Sequence, residues 1–251
     1  MLTRAALLAL VCGGAWADFS YDLTSKISKM KAAGAADEIR TSVALSGDRM
    51  VCGDDTRVDI IDLAKETVTV VDFQAQNWQT MTFAEVRAAL DEISQKAKEP
   101  KGDVKVKVSS QATGPKQVVV TAEVTQKSHM SVTVDMSVAD GAGYREAGDF
   151  LRRLSGKLDW SPEQSLGIAT SVLTMTFGYA RARQAAAAIF KEMSKTDGLP
   201  VRAEIRMTDN QPVFEMTSEV ANASAAAVDP ARFQVPSGFE KTTHDLRWLM
   251  P

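Results

Sequence analysis

The sequence predicts an α+β protein whose sheet is antiparallel, and three features carry that prediction. Long stretches alternate apolar and polar residues with a period of two. Two blocks switch to the three-and-four spacing of a helix. The clearest strand, residues 130–138, sets Met130, Val132, Val134, Met136 and Val138 against Ser131, Thr133, Asp135 and Ser137 without a break. Such alternation belongs to antiparallel sheet with one wet and one buried face, whereas parallel α/β strands read as continuous apolar runs.

In chain order, Arg4 precedes a short apolar run from Ala5 to Val11, then two glycines and Ala15-Trp16-Ala17. The run is too short to span a bilayer and ends on a small-x-small site, so residues 1–17 are expected to be a cleaved signal peptide with Asp18 as the mature N-terminus. Cys12 opens a second reading as an acylated lipoprotein, against which Val11 stands where a small residue is usual. The alternation Phe19, Tyr21, Leu23, Ile27 predicts a strand, as do residues 38–45, 57–63 and 66–73, with turns at Gly47-Asp48, Gly53-Asp54-Asp55 and Ala64-Lys65.

Phe83, Val86, Leu90, Ile93 and Ala97 then recur on one helical face, and Thr82 with Glu85 forms a capping-box pattern at its start. Strands are expected at 104–108, 117–126 and 130–138. The loop Asp140–Gly143 leads into a second helical region, with a start signal at Ser161-Pro162 and an Ala-rich run down to about 195, closed by Leu199-Pro200. Two further strands flank a turn at Asp209–Pro212, and Phe233–Val235 reads as a last short strand before Pro236-Ser237-Gly238 and an anchoring Phe239. One domain over 18–251, with a helical insertion near 145–195, is the economical organisation.

Composition narrows the function. The net charge is −3 and the basic residues are dispersed, which argues against nucleic acid as a partner. There are two cysteines and one lies in the leader, so the mature chain has no internal disulfide and Cys52 reads as a small buried hydrophobe. No other segment is long and apolar enough for a membrane span. His129 and His244 are the only histidines and lack ligand-spaced partners. Asp54, Asp55 and Asp59 read as a charged hairpin turn rather than a Ca²⁺ loop. No nucleophile elbow, P-loop or dinucleotide fingerprint occurs. No catalytic residue, cofactor or metal is expected, and a hydrolase is a distant third reading.

The segment Phe233-Gln-Val-Pro-Ser-Gly-Phe-Glu-Lys241, with Gly198–Val220 before it and Asp59–Thr82 upstream, resembles the DUF4412-type group of secreted bacterial proteins, which are similar to the periplasmic lipoprotein carriers of LolA/LolB-like fold. Within 59–82, Ile61-Asp62, Val68–Phe73, Trp78 and Thr80-Met81-Thr82 carry the likeness. The resemblance implies a strongly curved antiparallel half-barrel wrapped around helices. It also implies a non-enzymatic periplasmic or secreted protein that holds a lipid, acyl chain or lipoprotein segment in its concave face. The sequence holds 11 methionines, an adaptable residue over-used on promiscuous apolar surfaces. Val120, Met130, Val132, Val134, Met136, Met175 and Met207 are the candidate ligand-facing residues, with plain core filling as the competing reading. The alternative from another class is a cell-envelope module that binds a protein partner and would display an exposed apolar patch.

Overall fold

A computed structural model describes residues 18–30, 38–96, 105–114, 116–125, 129–158, 189, 191–193 and 195–243. The expected leader 1–17, Met175, the helix start at Ser161 and nearly all of the 162–195 block lie outside the described residues. Among the described residues the protein is a mostly-sheet α+β structure with few helices, built on one open, curved sheet of 12 strands.

Its first six strands form a meander: β1 (Phe19–Met30), β2 (Glu38–Ser46), β3 (Arg49–Gly53), β4 (Arg57–Asp62), β5 (Thr67–Asp72) and β6 (Asn77–Thr82). Asp62 and Asp72 each close the following turn by accepting a hydrogen bond from the backbone N–H three residues on, at 2.9 and 2.7 Å. Helix α1 (Phe83–Lys96) follows β6 directly. Its capping box forms as expected: Glu85 Oε2 accepts from the Thr82 N–H at 2.7 Å, and Thr82 Oγ1 accepts from the Glu85 N–H at 3.2 Å.

A second meander holds β7 (Lys105–Gly114), β8 (Gln117–Thr125) and β9 (His129–Ala139), then helix α2 (Tyr144–Lys157), then β10 (Leu199–Asp209) and β11 (Gln211–Ser224). The first strand joins the halves, because β1 pairs antiparallel with β2 on one side and β11 on the other. Every pairing among these eleven strands is antiparallel.

Helices α1 and α2 pack on one face, the inner one. Phe83, Val86, Ala89 and Leu90 of α1 and Ala147, Phe150 and Leu154 of α2 are buried against Phe19, Tyr21, Val43, Met50, Ile61 and Met81 of the first meander. Residues 144–157 of the expected helical block are therefore core scaffold.

The last expected strand does not form. Residues 230–233 make a 3-10 turn, with Pro230 early in it and Asp229 capping the Ala231 N–H at 2.9 Å. This segment runs across the outer face, where Val228 and Phe233 bury against Ala44, Val51, Ile60 and Val71. The Arg49 guanidinium lies 4.8 Å from the centre of the Phe233 ring. A two-residue strand, β12 (Glu240–Lys241), then pairs parallel with the β6 edge. Phe239 meets Phe73 edge to face at 5.7 Å, so its anchoring role holds although the strand before it does not.

Candidate functional site on the inner face of the second meander

The inner-facing residues of β8 to β11 follow from register. Val120 stands opposite Val134, Val134 opposite Ile205, Ile205 opposite Met216, and Met216 opposite Ile27 of β1. One step along, Ala122, Val132, Met207 and Phe214 make a parallel row. The strict alternation seen in the sequence thus stacks side chains from strands far apart in the chain into one apolar surface.

Five of the seven candidates meet there. Val120, Val132, Val134, Met136 and Met207 belong to one cluster with Ile205, Phe214 and Met216, and none of the five is more than 2 % exposed. Met130 sits on β9 opposite Val124. Met175 lies outside the described residues. Phe214 and Met216 complete the surface, and the alternation of β11 is the signal that marks them.

Among the described residues, the segment between α2 and β10 contributes Ile189 and Met193 to this cluster, and Glu192 of the same segment accepts a hydrogen bond from the Ser110 hydroxyl of β7 at 3.0 Å. The residues of this surface are thus buried. Its methionines, Met136, Met207 and Met216, can change shape at small cost because three rotatable bonds and a polarisable sulfur tolerate several packings.

A polar seam separates the surface from the core under α1 and α2. Ser25 of β1 and Ser218 of β11, 2 % and 7 % exposed, share a hydrogen bond of 2.8 Å. Both occupy inward positions, where a hydroxyl is tolerated only when bonded. In sequence they look like breaks in the apolar pattern.

The first meander carries an inward ion pair. The Arg57 guanidinium donates to Asp59 Oδ1 at 3.1 and 3.2 Å. Burial of Asp59 raises its carboxyl pKa, and the guanidinium opposes that rise without cancelling it. The acidic cluster is thereby split. Asp59 turns inward, while Asp54 closes its own turn by accepting from the Thr56 hydroxyl and N–H and the Arg57 N–H, at 2.6, 2.8 and 3.0 Å. No group of three His, Cys, Asp or Glu side chains among the described residues could hold a metal ion. Cys52 is buried, as its apolar surroundings in the sequence imply, and makes no disulfide among the described residues.

No helix among the described residues is long and apolar enough to cross a membrane. No protein-family model and no curated protein matches the chain.

Proposed function

We propose that the chain is a non-enzymatic, exported carrier-like protein of LolA/LolB-like half-barrel type, which holds an acyl chain or similar lipophile on the inner face of β8 to β11. The single observation that carries this reading is the continuous apolar surface spanning four strands and edged by the Ser25–Ser218 seam. The apolar leader and the DUF4412-type resemblance support export to the periplasm.

The mechanism is exchange. The side chains that close the surface, Ile189 and Met193 among them, give way to the ligand, and the methionines below repack around it. Each buried CH₂ contributes about 0.8 kcal/mol, so ten methylenes contribute roughly 8 kcal/mol toward displacing the cover. Helix α2 stays in place as scaffold, since Phe150 and Leu154 are both 1 % exposed.

A photoreactive fatty acid with a diazirine near its methyl end tests the site. Irradiation and peptide mapping should place the label on residues 118–136 and 203–216. Labelling confined to the outer face, or none that unlabelled fatty acid suppresses, would contradict the assignment. The protein-interaction alternative has less support: Phe73 is the exposed large hydrophobic among the described residues, and Phe239 already contacts it.

A further inference from the structure

The two ends of the sheet are finished differently. At one end β12 pairs with Asn77 and Trp78 of β6. At the other, β7 pairs with β8 on one side and, among the described residues, with no strand on the other. Strand β7 runs for 10 residues, against a usual strand length of about 5–6, and so presents a long row of backbone N–H and C=O groups.

Such edges are ordinarily guarded by charge, proline or brevity. Val108 stands opposite the buried Ala122 on the inner face, so Lys107 lies on the outer face, where it stands opposite Glu123. From Ser109 to Thr113 the strand carries neither charge nor proline, and each of these residues is exposed. The guard therefore covers one half of the edge and leaves the other open to pairing.

That asymmetry makes the strand complementary to itself. Two β7 strands set antiparallel about a two-fold axis through Ser109 place Lys107 opposite Gln111 of the partner subunit and Val108 opposite Ser110 of the partner subunit. No like charges meet, and the glutamine amide oxygen can accept from the lysine ammonium group, a charge-assisted contact. The axis stands perpendicular to the sheet, so inner side chains meet inner ones and outer meet outer. An unrelated strand would need side-chain pockets or an unmet charge to be recognised. Ser109, Ser110, Ala112 and Thr113 are too short to wall a pocket, and Lys107 already faces Glu123.

We propose that β7 pairs antiparallel with β7 of a second copy of this chain, joining two sheets edge to edge in a symmetric dimer. This assembly is independent of the lipophile reading. Sedimentation velocity over a concentration series tests it on residues 18–251, exported and purified without detergent, with hydrogen exchange of the β7 amides measured across the same series. A monomer–dimer equilibrium is expected, with the β7 amides gaining protection as the dimer fills. Gln111→Lys sets like charges opposite each other twice per dimer and should weaken association at least tenfold, whereas Gln111→Glu sets an acid opposite Lys107 of the partner subunit and should tighten it severalfold. Gln111 is exposed, so both variants should keep the wild-type circular dichroism spectrum. A monomer at every concentration, or a dimer that both variants leave unchanged, would overturn the proposal. So would β7 protection that does not vary with concentration, which would mean that the edge is covered from within the same chain.

Discussion

Replacing Gly148 by alanine separates local helix propensity from tertiary packing. Gly148 lies inside α2, where glycine to alanine ordinarily stabilises a helix by about 1 kcal/mol. Here the new Cβ would stand 2.1 Å from the carbonyl oxygen of Gly198 and 2.7 Å from its carbonyl carbon. Those atoms are backbone and cannot rotate aside. Relief requires α2 to withdraw by roughly 1 Å, which loosens Phe150 and Leu154 in the core. Overpacking of this kind costs about 1–3 kcal/mol, and backbone opposition places it at the upper end. After the helix gain, the net loss is about 2 kcal/mol. Gly156 in the same helix is the control, because a Cβ there meets nothing within 4 Å, so Gly156→Ala should gain up to about 1 kcal/mol. Urea unfolding followed by circular dichroism reads both: the midpoint should fall for Gly148→Ala and rise for Gly156→Ala with unchanged slopes. Midpoints that move together would refute the close docking of α2 and its role as scaffold.

Other predictions address the seam, the buried acid and the outer crossing. Ser25→Ala or Ser218→Ala alone leaves one buried hydroxyl unbonded and should cost about 1–2 kcal/mol, whereas the double variant should be close to neutral; additive losses would show that the 2.8 Å bond is unimportant. Asp59, with its pKa raised above 3.8, keeps its proton in the fold at pH values where the unfolded chain has released it. Its contribution to stability is therefore greatest below 3.8 and declines as pH climbs to the raised value, and Asp59→Asn should flatten that part of a stability–pH curve; an unchanged slope would refute the burial argument. Phe233→Ala should destabilise by about 3 kcal/mol and speed limited proteolysis after residue 228, and cleavage at the wild-type rate would show that the crossing is not anchored there.

The sequence was most legible where one sheet face is wet. Strands β8 to β11 alternate cleanly, so the shared surface of five candidate residues is legible in their period of two. Strand β3 carries no alternation to read, because Met50, Val51 and Cys52 are all buried, which erases the period of two. Strand β6 was obscured because Gln79 occupies an inward position and Trp78 an outward one. The outer face of β2 to β5 is not wet, since Ala44, Val51, Ile60 and Val71 lie beneath the C-terminal crossing. That is why a Phe-Gln-Val run that looked like a closing strand serves instead as outer cover. The Ser25–Ser218 bond joins residues 193 apart in sequence, and no local pattern encodes such a pairing.

The most direct test of the lipophile-binding account is native mass spectrometry of residues 18–251, exported and purified without detergent. The account predicts a discrete added mass that organic extraction releases and identifies as an acyl-containing lipid, with the same mass restored when stripped protein meets an envelope lipid extract. A clean ligand-free mass that the extract leaves unchanged would contradict it and leave the inner face of β8 to β11 as core alone.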